Sequence, residues 1–196
     1  MKKILVALLA TGVMAGCTAA PEKGAVVEQK NAVQKKVAEV KTEAPTLNNE
    51  DLYVVYHDGR MNVFYDAKLY KGFMEVGETA YRKTFIGSGP KGETIMYGLT
   101  KGDKKKLTGI PSIDMMEGRL TAAESFYGEI RDEGRINVFD DWKLFQRYMQ
   151  NGEVPYRLTD IGAGPKGETV VYALTKETKK KRPNALMAKF QAFYAN

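Results

Sequence analysis

Beyond Glu50 the apolar positions come in short strand-like runs and in stretches with one apolar helical face, and the two kinds take turns. Tyr53 to Tyr56 and Met61 to Phe64 flank Asp58-Gly59, a dipeptide that favours a tight hairpin. Asp66 to Val76 follows, with Asp66 as a predicted N-cap, Leu69, Phe73 and Val76 on one face, and Gly77 as the stop. A second hairpin is predicted from Tyr81–Ile86 and Thr94–Thr100, the latter bringing Ile95, Tyr97 and Leu99 onto one face. Between those runs lies Gly-Pro-Lys-Gly, which puts Pro second and Gly fourth as a type I turn prefers.

The same order of elements then returns. Glu133-Gly134 takes the place of Asp58-Gly59, and Asp141 to Asn151 is the next helix, capped by Asp141, with Leu144 and Tyr148 inward and Gly152 as its stop. Val170, Tyr172 and Leu174 alternate as Ile95, Tyr97 and Leu99 do. Asn184 to Tyr194 reads as an amphipathic helix with Leu186, Met187, Phe190 and Phe193 inward; the earlier counterpart is the short stretch Ser112 to Glu117.

The recurrence reaches individual residues. At a constant offset of 75, Gly59-Arg60-Met61-Asn62-Val63-Phe64 returns as Gly134-Arg135-Ile136-Asn137-Val138-Phe139. Gly87 to Thr94 returns as Gly162 to Thr169, and Lys104 to Lys106 as Lys179 to Lys181. Between about 56–106 and 131–181 the match needs no gap and more than half of the paired positions are identical, which reads as a tandem duplication. The expected fold is therefore α+β: a duplicated ββαββ(α) unit, residues 51–122 and 123–196, with antiparallel sheets and packed helices. A unit of this size has a marginal core alone, so the two copies are expected to pack about a pseudo-twofold.

The first 50 residues follow different rules. Lys2 and Lys3 precede an uncharged, mostly apolar run from Ile4 to Ala15, shorter than the roughly 20 residues that a membrane span needs. That is the pattern of a secretory signal over residues 1–16. Met14-Ala15-Gly16-Cys17 resembles the lipobox of bacterial lipoprotein precursors, with Met14 where Leu is usual. The resemblance implies cleavage before Cys17, a diacylglyceryl group on its sulfur, and a membrane anchor of two or three acyl chains. Thr18, rather than Asp, in the next position implies the periplasmic face of the outer membrane. Cys17 is the single cysteine of the chain, so an internal disulfide is excluded.

Residues 17–50 are the expected lipidated terminus and tether. From Thr18 to Glu50 there is no aromatic residue, and Lys, Glu, Gln, Ala and Val dominate, a composition that does not bury a core. As a flexible coil such a segment spans roughly 30 Å. Val33, Val37, Val40 and Ala44 have helical spacing, which leaves a frayed helix or coiled-coil contact open.

Charge adds little. Loss of the signal lowers the formal net charge from +6 to +4, compatible with anionic head groups or acidic polymers. Nucleic acid is not an expected partner of an exported, anchored protein.

Candidate chemistry is sparse. His57 is the one histidine and sits beside a turn, so with Cys17 lipidated neither a His/Cys metal cluster nor a Cys/His nucleophile pair is expected. Gly-Ser-Gly-Pro-Lys-Gly-Glu-Thr lacks the adjacent Gly-Lys-Ser/Thr of a phosphate loop and is followed by a strand, so no nucleotide cofactor is implied. Asp66, Glu93, Asp141 and Glu168 are the carboxylates available for acid/base work, with nothing in the sequence to gather them. The residues kept in both copies beyond the needs of a hairpin are Arg60, Asn62, Tyr81 and Arg82, with Arg135, Asn137, Tyr156 and Arg157. Two readings fit them: a ligand seat near the seam between the copies, or internal pairing such as Arg60 with Asp66 or Glu93. The lysine runs read as solvated loops or as patches for anionic lipid or cell-wall polymer. The expected function is a non-enzymatic envelope binding or assembly module with a protein or cell-wall partner. The alternatives are a small-ligand or anion-binding periplasmic protein and, third, a hydrolase.

Overall fold

The computed structural model describes residues 46–195. The predicted signal, Cys17 and all but the last residues of the tether lie outside the described residues. The described part is an α+β structure with one eight-stranded sheet and four helices.

Its elements are β1 (Asp51–His57), β2 (Arg60–Phe64), α1 (Ala67–Val76), β3 (Arg82–Phe85), β4 (Thr94–Gly98) and α2 (Pro111–Met116). They are followed by β5 (Tyr127–Asp132), β6 (Arg135–Phe139), α3 (Trp142–Asn151), β7 (Tyr156–Asp160), β8 (Thr169–Leu174) and α4 (Asn184–Tyr194). Local chemistry sets the boundaries. Asp58 and Gly59 both take positive φ, 52° and 69°, as do Glu133 and Gly134 at 49° and 72°, which is the geometry of a two-residue hairpin loop. Asp66 and Asp141 cap α1 and α3 by accepting the backbone N–H of Leu69 and Leu144 at 2.9 and 2.8 Å. Gly77 and Gly152 end them in the left-handed conformation.

The sheet order is β3-β4-β2-β1-β5-β6-β8-β7. Separate antiparallel sheets were expected; the sheet is single and mixed. The hairpins β1/β2, β3/β4, β5/β6 and β7/β8 are antiparallel, but β2/β4, β6/β8 and the central β1/β5 pair are parallel. The reason is the helix after each first hairpin: it carries the chain across the sheet, so the last strand of the second hairpin enters parallel to its neighbour. Registers repeat at the offset seen in the sequence. Tyr53 opposes Phe64 and Gly128 opposes Phe139; Arg60 lies beside Thr94 and Arg135 beside Thr169.

The parallel centre has a further consequence. Equivalent positions of the two halves point to opposite faces of the sheet. One face carries Leu52, Val54, Met61, Val63 and Phe139 and is covered by α2 and α3 through Ile113, Met115, Leu144, Phe145 and Tyr148. The other carries Tyr53, Val55, Phe64, Ile136 and Val138 and is covered by α1 and α4 through Tyr70, Phe73, Leu186, Met187 and Phe190. Each half thus lends one helix to each face. Both faces of a central strand are then buried, which is why β1 and β6 read as nearly continuous apolar runs.

Two details depart from the predicted patterning. Val76 was expected inward and is 75% exposed, because the buried stripe of α1 runs through Tyr70 and Phe73 and the helix ends at Val76. The strand predicted from Tyr81 to Ile86 is shorter, Arg82–Phe85, and Ile86 is 86% exposed.

Candidate ligand-binding clefts

Alternation along β2 puts Arg60, Asn62 and Phe64 on one side. Phe64 and Asn62 are buried under α1, while Arg60 at the strand start emerges beyond the helix end. The backbone after Gly77 then turns past Glu78 and Thr79 toward β3. Arg60, Asn62, Phe73, Glu78 and Arg82 line a cavity of about 190 Å³ there, with His57 and Asp58 at its rim. In the second half Arg135, Asn137, Tyr148, Glu153 and Arg157 line a cavity of about 310 Å³ in the equivalent place. The structure therefore brings Arg60, Asn62 and Arg82 together, and likewise Arg135, Asn137 and Arg157.

These clefts are not at the seam between the halves, where the sequence reading put them. Phe64 faces the α1/α4 side and Phe139 the α2/α3 side, so the two clefts open on opposite faces of the sheet.

The internal pairing of Arg60 is also overturned. Asp66 is occupied as a helix cap. Glu93 braces the Gly-Pro-Lys-Gly turn, accepting the backbone N–H of Lys91 at 2.8 Å, and Glu168 does the same for Lys166 at 2.7 Å. Among the described residues, the guanidiniums of Arg60, Arg82, Arg135 and Arg157 make no hydrogen bond or ion pair, and all four side chains are exposed. The asparagines do have internal work. Asn62 Nδ2 donates to the Val55 carbonyl at 3.2 Å, and Asn137 Nδ2 to the Ile130 carbonyl at 3.1 Å and to the Tyr148 hydroxyl at 3.0 Å. Each stitches its hairpin at the floor of a cleft.

Tyr81 stands apart from the Arg60/Arg82 cleft, while Tyr156 shares a neighbouring cavity with Arg157. Each ring carries a lysine from the run in its own half: Lys104 Nζ is 4.9 Å from the Tyr81 centroid and Lys179 Nζ 4.2 Å from that of Tyr156. Lys106 is held at 2.9 Å by Asp103. In the second half, Tyr156, Lys179 and Lys180 line a further cavity of about 660 Å³ that shares Glu153, Val154 and Arg157 with the cleft beside it.

A second polar cluster escaped the sequence reading. Glu129 is fully buried on the α1/α4 side of β5. Its carboxylate accepts from the Tyr127 hydroxyl at 2.5 Å, the Tyr194 hydroxyl at 2.6 Å and the Tyr70 hydroxyl at 2.7 Å. Arg131 donates Nε to the Tyr70 oxygen at 2.7 Å and Nη1 to Glu168 Oε1 at 2.6 Å. Burial drives the Glu129 carboxyl above its ordinary range, against the pull of its three phenol donors and Arg131. Burial would raise Glu168 as well, but the Arg131 hydrogen bond and the turn amides outweigh it and lower that carboxyl. The signal was a disagreement between the halves: Glu129 stands where the offset puts Val54, and Arg131 where it puts Tyr56. Every group in the cluster is satisfied by another, so its geometry is that of a clamp holding α1, α4 and β5 together.

Among the described residues no three His, Cys, Asp or Glu side chains are grouped to hold a metal, and no helix is long and apolar enough to cross a membrane. No protein-family model matches the chain, and no curated protein or solved structure does either.

Proposed function

We propose that this chain is a lipid-anchored envelope protein, built by tandem duplication, whose two halves bind anionic ligands without transforming them. The observation that carries the reading is the pair of equivalent clefts, each with two unpaired guanidiniums at its rim. A planar guanidinium binds two oxygens of a carboxylate or phosphate side by side, and an unpaired one keeps that capacity for a ligand. The gapless offset in sequence and the identical strand registers at that offset support the duplication. The carboxylates available for acid/base chemistry have structural tasks, Asp66 and Asp141 as helix caps and Glu93 and Glu168 as turn braces, which supports a binding role over a hydrolytic one.

Acidic cell-wall or surface polymers are the ligand class favoured by recessed seats with arginines at their rims. Calorimetry on the full chain in detergent micelles, with trigalacturonate and tripolyphosphate as carboxylate and phosphate probes, tests this. Saturable binding that Arg135→Ala/Arg157→Ala weakens by about tenfold or more is expected, since a hydrogen bond to a charged group is worth roughly a factor of ten. Equal binding by wild type and variant, or no binding of either probe, removes the reading. The anchor has its own test. Cys17→Ser should shift the protein from the detergent to the aqueous phase in Triton X-114 partitioning, and unchanged partitioning counts against lipidation.

A further inference from the structure

The parallel β1/β5 junction determines which way each cleft faces. It turns the two halves over relative to each other, so Arg60 and Arg82 open on the α1/α4 face and Arg135 and Arg157 on the α2/α3 face. Three strand steps separate β2 from β6, about 14 Å at some 4.8 Å per step, and the sheet itself lies between. A short anion cannot reach both seats. One flat membrane surface cannot touch both either, because the seats look in opposite directions.

Resting on the binding role above, we infer that the protein is bivalent: each cleft takes a separate segment of acidic polymer, and the sheet bridges two chains. The seats are unequal. On the α1/α4 face Glu78 and Asp58, whose Oδ2 lies 3.4 Å from His57 Nε2, line the cleft together with Arg60 and Arg82. On the other face Glu153 lines the cleft with Arg135 and Arg157, Asp132 and Glu133 lie near its Tyr148 wall, and the cleft adjoins the cavity holding Lys179 and Lys180. The second-half seat adds Lys179 and Lys180 to its two arginines and is for that reason the tighter one.

Two measurements on the full chain in detergent test this together. Titration with trigalacturonate and with tripolyphosphate should give two sites per chain with resolved affinities, and the probe that binds identifies the polymer's anion. Arg135→Ala/Arg157→Ala should abolish the tighter site and Arg60→Ala/Arg82→Ala the weaker one. Circular dichroism checks that both variants fold, and the matching lysine variants retain charge without the fork. With polygalacturonate or long-chain polyphosphate, light scattering should rise to a maximum near two polymer segments per protein and fall with excess protein. Either double variant should bind without scattering. A single site per chain in the wild type overturns bridging while leaving the binding role intact. Scattering that survives in both double variants overturns it too, and no heat with either probe overturns both.

Discussion

Tyr194 donates its phenolic proton to Glu129 Oε2 at 2.6 Å, joining helix α4 to the middle of the sheet across 65 positions of sequence. The same oxygen of Tyr194 accepts from Arg131 Nη2 at 3.2 Å, and Phe193 stacks on Tyr53 with centroids 5.3 Å apart. The end of α4 is thus held by a charge-assisted bond as well as by its apolar face. Tyr194→Phe retains the ring and removes the donor, so Glu129 keeps two phenols and Arg131 loses an acceptor. A loss of about 1–3 kcal/mol in urea unfolding is expected, with amide exchange in α4 rising ahead of the rest. A change under about 0.5 kcal/mol, the scatter of neutral surface substitutions, would show that this bond does not hold the helix.

Glu129 itself should be costlier to remove. Glu129→Leu strands the hydroxyls of Tyr70, Tyr127 and Tyr194 in the buried network and leaves Arg131 with Glu168 alone as its acidic partner. Breaking a buried charged network from one side costs about 3–5 kcal/mol. The sign of its pH dependence is set by burial, which raises the folded carboxyl above its ordinary 4.5. The folded state then holds the proton longer than the unfolded state, so this group's contribution falls as pH rises through the window above 4.5. Glu129→Gln keeps an acceptor and should flatten that slope. An unchanged slope in the variant would assign the titration to another group.

Asp103 works in the opposite direction. Burial would raise it, but hydrogen bonds from Thr100, Tyr65 and Lys106 outweigh burial and bring its carboxyl from 3.8 down to about 2. Tyr65 and the Thr100 hydroxyl both donate to Oδ2, at 2.5 and 2.6 Å. A lowered folded value means stability that is complete above the unfolded value and lost as pH falls from 3.8 through about 2. The contribution at neutral pH is about 2 kcal/mol. Asp103→Asn should lower stability by that order at pH 7 and leave little further loss over the acid window; parallel acid limbs for variant and wild type would refute it.

Much of the fold was legible because its signals are local. The Asp caps, the glycine stops, the two-residue hairpin loops and helix 184–194 follow from residues within one or two turns of each other. What was not legible depends on which strands meet. The apolar run of β1 marks a strand buried on both faces but not its partner or direction, and the parallel β1/β5 pair merges the expected separate sheets and sends equivalent residues to opposite faces. The Arg and Asn residues of the clefts were visible as conserved identities between the halves. Their distance from the seam was not, because that follows from the junction. The Glu129 cluster was hidden for a related reason: Tyr70, Glu129 and Tyr194 come together only after three distant segments have packed.

Gly128 gives the sharpest test of the packing behind that junction. The offset equates it with Tyr53, yet the two point to opposite faces, Tyr53 to α1 and α4 and Gly128 toward Phe126 and Phe145. A Cβ on Gly128 would lie 2.6 Å from one ring atom of Phe145 and 2.8 Å from one of Phe126. Neither ring has room to retreat. Phe145 stacks on Trp142 at 5.5 Å and meets Phe139 edge-on at 5.3 Å, and Phe126 meets Trp142 edge-on at 5.3 Å. Gly128→Ala should therefore cost about 1–3 kcal/mol as overpacking. Gly72, inside α1, is the control: a Cβ there meets nothing within 4 Å. Alanine favours a helix interior over glycine by roughly 0.5–1 kcal/mol, so Gly72→Ala should raise stability. Thermal or urea unfolding of the two variants should move in opposite directions; a Gly128→Ala protein as stable as wild type would mean that Phe126 and Phe145 do not pack across β5 as described.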